Sequence, residues 1–324
     1  MAKQPAFARV LSSLTGTVFC LLTLGVCLGA LAQRKPAQDQ WELAAQNPKS
    51  FLETMVKQFG WTDPVEPMKL VGPIYFVGTK GLSVWLITTS EGHILLNTGM
   101  PGSGQMIESS IRKLGFKPED VKLMLACHAH IDHVGGHAYL KKLTGAQVVM
   151  LDSAVDLFES GGKTDFNYGQ VSEFSFEAVK VDRVIRDGDS VKLGDVVLTA
   201  LPTPGHTRGS TTWITNVTEG GKIYQVVFPD GTGVNPGYRV AKAPSYPGIG
   251  DDYRRTFHTL EMVKPDIWLS AHTVDYKFEA KRARALSEGV KAWVDPEGYR
   301  KWVVSQRQAF ESRVDTEMSV PANN

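Results

Sequence analysis

The chain has 324 residues, with 31 Gly, 17 Pro, 42% hydrophobic and 21% charged residues. This balance excludes a collagen, a coiled coil, a disordered tail protein and a multi-span membrane protein, and the length permits a sizeable buried core. The net charge of +1, from 35 Lys+Arg against 34 Asp+Glu, leaves no basic footprint for nucleic acid.

Lys3 and Arg9 form a short basic start. An uncharged apolar stretch from Val10 to Leu31 follows, ending in Ala30-Leu31-Ala32, the small-x-small pattern of a signal-peptidase site. A signal peptide over 1–32 is expected, cleaved after Ala32, with a periplasmic mature protein that keeps no stable membrane insertion. An uncleaved anchor is the alternative, because about 20 apolar residues span a bilayer. Val26 stands where a small residue should precede a lipidated Cys27. Cleavage would remove Cys20 and Cys27 and leave the single thiol of Cys127.

Residues 33–64 read as an N-terminal arm with a helical stretch from Phe51 to Phe59. Strand signals follow at Ile74–Val77, Val84–Thr89 and His93–Leu96. Met106 to Leu114 has helical spacing of Met106, Ile107, Ile111 and Leu114. Val121–Ala126 is a buried strand, Val134–Leu143 a helix and Gln147–Leu151 a strand. Short strands resume at Asp182–Ile185, Val191–Leu193, Val196–Leu201, Thr211–Ile214 and Tyr224–Phe228. A helix at Asp252–Val263, a strand at Ile267–Ser270 and helices from Glu279 and Pro296 complete the chain. The strands come in two batches, each followed by helices. Two sheets packed face to face, with helices outside, would bury all of them in one core. The expected fold is α+β, a four-layer αβ/βα sandwich, with 65–324 as one catalytic domain of two similar halves and the site at the sheet edges.

The strand Val121–Ala126 runs into Cys127-His128-Ala129-His130-Ile131-Asp132-His133, so three of the eight His fall within six residues. Imidazole and carboxylate donors suit zinc, with iron or manganese also possible. His128 and His130, two apart, can face one ion. Asp132 and His133 lie where the chain enters a helix and can face a second. Gly135 and Gly136 would leave backbone room beside the metals. Further ligands should come from other strand ends, and two candidates are His206, on a Pro-Gly turn, and His272. Asp230 is open between turn-former and ligand. His137 reads as second to the ligands or as surface, His93 and His258 as ordinary positions, and Cys127 as a buried residue facing away from His128.

The pattern His128-x-His130-x-Asp132-His133, with His206 and His272, resembles the metallo-β-lactamase superfamily. Residues near 61–275 are similar to the third subclass of class B β-lactamases. The further segments are Trp61-Thr62-Asp63-Pro64, Glu91 to Leu96, Pro236-Gly237-Tyr238 and Asp252 to Phe257. The resemblance implies the metallo-β-lactamase form of the four-layer sandwich. It implies a first zinc on His128, His130 and His206, a second on Asp132, His133 and His272, and a bridging hydroxide. It further implies a monomeric zinc-dependent hydrolase, conferring antibiotic resistance, whose partner is a small molecule: the β-lactam ring of penicillins, cephalosporins and carbapenems. Asp132 is the expected catalytic residue, orienting the nucleophile and passing a proton.

The chain departs from the family pattern in places. Asn97 stands where many relatives have Asp, and Arg208 where Pro is common. Gly231-Thr232-Gly233 replaces Ser residues that help hold the substrate carboxylate, and the C-terminal disulfide is absent. Weak anchoring of that carboxylate is expected, with Thr232, Asn235 and Arg208 as substitute donors. The alternative activity is that of a lactonase or a glyoxalase II-like thioesterase, relatives with a metal-bridging Asp on the loop that bears Asp230.

Overall fold

The computed structural model describes residues 37–319. The expected signal peptide, 1–32, lies outside the described residues. Two mixed sheets form the centre, as the two batches of strands imply. The first has seven strands in chain order: β1 Met68–Val71, β2 Ile74–Phe76, β3 Trp85–Thr89, β4 Gly92–Leu96, β5 Val121–Leu125, β6 Gln147–Leu151 and β7 Arg183–Ile185. It is antiparallel up to β4 and parallel from β4 to β7. The second has order β12-β11-β10-β9-β8, built from β8 Ser190–Leu193, β9 Val196–Pro202, β10 Thr211–Glu219, β11 Lys222–Phe228 and β12 Ile267–Trp268.

Hydrophobic patterning explains this arrangement. Leu123, Met124 and Leu125 of β5 are all buried, as a strand covered on both faces requires. The alternation of β9 puts Val196, Leu198 and Ala200 inward and leaves Val197 exposed. One core joins the facing sheets: Trp85, Ile94, Leu96 and Leu125 from the first meet Trp213, Val226 and Phe228 from the second. The Trp213 indole N–H donates to the Ala126 carbonyl at 3.0 Å and ties the sheets together at the site end.

Helices cover the outer faces: α1 Ala37–Gln46, α2 Pro48–Phe59, α3 Ser103–Lys113, α4 Ile131–Val134, α5 His137–Thr144, α6 Val155–Glu159, α7 Ile249–Met262, α8 Phe278–Glu288 and α9 Pro296–Ser319. Helix α2 starts sharply because the Asn47 side chain accepts the Ser50 N–H and Pro48 opens the first turn, and it ends on left-handed Gly60. The two-sheet sandwich with outer helices is the expected fold. Several elements differ from the sequence reading. Strand β1 and helices α1 and α6 are additional. Strands β10 and β11 continue to a tight hairpin at Gly220-Gly221, whose φ values of 58° and 77° only a residue without Cβ adopts freely.

The helix expected from Val134 is instead two short helices broken at Gly135-Gly136. A Cβ on Gly135 would lie 2.3 Å from the Pro101 nitrogen, and one on Gly136 2.6 Å from the Thr98 carbonyl oxygen. These glycines therefore let the β4–α3 loop pack against the ligand segment, and the room they leave is filled by that loop.

Candidate metal centre and its cleft

The site is built where strands end. His128 and His130 follow β5, Asp132 and His133 lie on α4, His206 follows β9, Asp230 follows β11 and His272 follows β12. The backbone of the first segment is fixed from behind. Asn97, in the left-handed region at φ 64°, accepts the Cys127 N–H at 2.9 Å, and the Cys127 thiol is buried in the inter-sheet core. Thr98 N–H donates to the His133 carbonyl at 2.7 Å.

His128, His130 and His206 each bring one ring nitrogen into a group whose atoms lie within 4.8 Å of one another. Each ring is held by its other nitrogen. His128 Nδ1 is 2.9 and 3.1 Å from the two Asp230 oxygens, and His130 Nε2 is 3.0 Å from Asp165 Oδ2. His206 Nδ1 donates to the Gly233 carbonyl at 2.7 Å. This assigns the tautomers, with hydrogens outward and lone pairs inward. His130 Nδ1 and His206 Nε2 face each other at 3.0 Å, and His128 Nε2 is buried without a partner. Burial, followed by the neighbouring imidazoles, holds His128 well below the usual histidine range, and burial lowers His206 to about 4. Both rings are neutral at pH 7, as a ligand must be.

His128 also meets Asp132 and His133 in a second such group. Asp132 Oδ2 lies 3.1 Å from His133 Nε2 and 3.7 Å from His272 Nε2. Burial alone would raise the Asp132 carboxyl, but His133, His272 and His128 hold it well below the usual carboxylate range. His133 Nδ1 is buried without a hydrogen-bond partner, and its Nε2 meets only the Asp132 carboxylate. Orphaned inward nitrogens beside a carboxylate are costly unless something occupies their lone pairs, and this N and O donor set suits zinc.

The structure also places the remaining sequence candidates. Asp230 turns both oxygens to the back of His128 and belongs to neither inward cluster. Thr232 and Asn235 line the cleft. Arg208 does not: its guanidinium stacks 4.7 Å above the Tyr246 ring, in a separate cleft with Asp152 and Asp252. The turn at Gly205 sends His206 inward and Arg208 outward, so Arg208 is not a substitute for the missing Ser. Gly231 is more than a lost donor, because at φ 89° its Cβ would lie 1.8 Å from the Thr203 carbonyl oxygen. His137 is fully buried, with Nδ1 2.7 Å from Thr98 Oγ1, and so is not a surface residue.

Three contributors escaped the sequence reading. Asp165 sits in an Asx turn, its Oδ1 accepting the Asn167 and Tyr168 N–H groups, and only this turn signature was readable. Helix α2, in the arm, lines the cleft with Phe51, Met55 and Phe59. Gln306 and Trp302 of α9 line its other end. The cleft has an apolar chamber of about 230 Å³ and a polar one of about 200 Å³, which share His206, Asn235, His272 and Asp275.

Inward-facing histidines and an ionised aspartate at the edge of a two-sheet sandwich define a metal-dependent hydrolase. Residues 78–215 match the family model for the metallo-beta-lactamase superfamily. The FEZ-1 metallo-beta-lactamase of Legionella gormanii is 38% identical, with 80% of this chain and 98% of that one covered and a TM-score of 0.78. The subclass B3 metallo-beta-lactamase BJP-1 of Bradyrhizobium japonicum is 39% identical, with 82% and 98% covered and a TM-score of 0.77. Among curated proteins, the acyl-coenzyme A thioesterase MBLAC2 of Homo sapiens is 29% identical over 151 residues, 40% of this chain and 52% of that protein. The chain spans about half the length of the curated relatives it matches. The chain belongs to the metallo-β-lactamase superfamily and is a hydrolase of that fold.

Proposed function

We propose that the protein opens the β-lactam ring of penicillins, cephalosporins and carbapenems, acting as a monomer in the periplasm after loss of residues 1–32, and so confers antibiotic resistance. The observation that carries this reading is the likeness, at 38–39% identity, to two β-lactamases covered over 98% of their length. His128, His130 and His206 would hold one zinc, and Asp132, His133 and His272 a second. Zinc, when bound, supplies Lewis acidity and lowers the pKa of water at neutral pH. The chain's own groups do the rest. Asp132, ionised between the clusters, orients the attacking water and takes its proton at Oδ2. Helix α2 and Trp61 exclude water from the apolar side, where a substrate's acyl group fits, and Asn235 can donate to the substrate from the wall shared by both chambers.

A second reading is a thioesterase or lactonase, in which an Asp on the β11 loop would bridge the metals. The orientation of Asp230 favours the lactamase reading, since both its oxygens are spent behind His128. The test is zinc-loaded protein assayed against a penicillin, a carbapenem, an acyl-homoserine lactone and a glutathione thioester. Ring opening of the first two is expected. Survival of both at micromolar enzyme, with the lactone or thioester cleaved, would replace this reading by the second. N-terminal sequencing of the exported protein should begin at Gln33, and an intact Met1 would count against the periplasmic assignment.

A further inference from the structure

The polar chamber has an uncommon wall. Among the described residues, its charged side chains apart from the histidines are the carboxylates Asp230 and Asp275, and no Lys or Arg lines it. Asp275 accepts the Ser270 hydroxyl at 2.6 Å. The chamber's uncharged side-chain donors include Thr232, Asn235 and Gln306, beside the Trp302 indole N–H and the Ser270 hydroxyl already given to Asp275. Thr232 Oγ1 donates to Gln306 Oε1 at 3.5 Å, a long contact on the acceptor side of an amide whose NH₂ carries two donors.

Gln306 is rigidly presented. It follows Trp302, whose ring packs 5.3 Å from Trp268, and precedes the fully buried Phe310 by one turn. Further along α9, Glu317 accepts the N–H groups of Val240, Ala241 and Lys242 and fastens the helix to the loop after Asn235.

We propose that Gln306, supported by Thr232, is a specificity-determining donor that anchors the polar end of the substrate without charge selection, so that a carboxylate and its uncharged ester are accepted about equally. This rests on the β-lactam reading above. An anion anchored by a cationic side chain loses a charge-assisted hydrogen bond on esterification, whereas an amide N–H meets a carboxylate or an ester carbonyl with similar geometry.

The experiment uses the zinc-loaded full chain and one penicillin as its free acid and as its methyl ester. The expected kcat/KM values agree within about threefold. Gln306→Leu should raise KM for both forms by about 3- to 10-fold, with kcat less affected and zinc content unchanged. Gln306→Lys should lower KM by about tenfold or more for the acid alone. The residue is half-buried on a helix surface, and thermal melts of both variants verify folding. The proposal is overturned if the ester is worse by more than about 100-fold, or if Gln306→Leu leaves both KM values unchanged. If the native enzyme cleaves neither form, the β-lactam reading itself fails, a result that either Gln306 outcome alone does not produce.

Discussion

The two ligand clusters meet at His128 but are held in different ways. In the first, every ring has a partner on its outward nitrogen: Asp230, Asp165 or the Gly233 carbonyl. In the second, His133 Nδ1 has no hydrogen-bond partner and Nε2 faces only its fellow ligand Asp132, and His272 is steadied by the Trp61 ring at 5.4 Å. Partners outside the ligands fix tautomer and orientation before an ion arrives, so their ordering cost is met by the fold. The first cluster is therefore preorganised, while the second depends on Asp132 and on the ion itself. Asp132 is the one carboxylate among the ligands, reaching toward His133 and His272 with a group that stays ionised.

Removing that carboxylate should have the largest effect. Asp132→Ala is expected to lower kcat for a β-lactam by about 10²- to 10⁴-fold, measured at saturating zinc. A loss of less than tenfold would remove Asp132 from the chemistry. Next come the ligands themselves. His128 would hold the first ion and its ring also borders the second group, so His128→Ala should remove the first ion and weaken the second, whereas His272→Ala should cost only the second ion. Elemental analysis of desalted protein separates these outcomes, and equal zinc content in the two variants would erase the distinction between the clusters.

A smaller effect distinguishes burial from ligation. His137 belongs to neither cluster, yet burial lowers it to about 3. A buried neutral His stabilises the fold above its unfolded pKa near 6.5 and loses that contribution as pH falls toward the folded value. At pH 5 this one group should cost about 2 kcal/mol relative to pH 7. Melting curves of the metal-free protein should show the fall, and His137→Phe should show less of it. A native midpoint that does not change from pH 7 to pH 5 would contradict the burial argument.

What was legible in the sequence follows the same division. His128, His130, Asp132 and His133 stand within six residues, so their ligand chemistry shows in the spacing alone. His206 and His272 were readable as polar strand ends beside that cluster. Asp165 was not, because a lone Asp in a surface turn looks like any Asx turn until the fold brings it to His130. Gln306 was hidden for a similar reason, since α9 shows no chemical motif and acts through its position in the sandwich. Arg208 misled in the opposite direction: it is two residues from His206, but the turn aims it at Tyr246. Among the strands, the buried apolar runs were plain. The Gly220-Gly221 hairpin does not show in the pattern, because its strands continue through the polar residues Thr215, Asn216 and Thr218, of which Asn216 and Thr218 are exposed.

The claim that most of this account depends on is a two-ion centre with one preorganised half. Calorimetric titration of zinc into the metal-free protein, native and Asp165→Ala, tests it directly. The account predicts two zinc ions per chain, bound in two steps, with the tighter step weakened about 10- to 100-fold by Asp165→Ala and the weaker one little changed. Binding of a single ion or only a trace, or equal weakening of both steps, would contradict it.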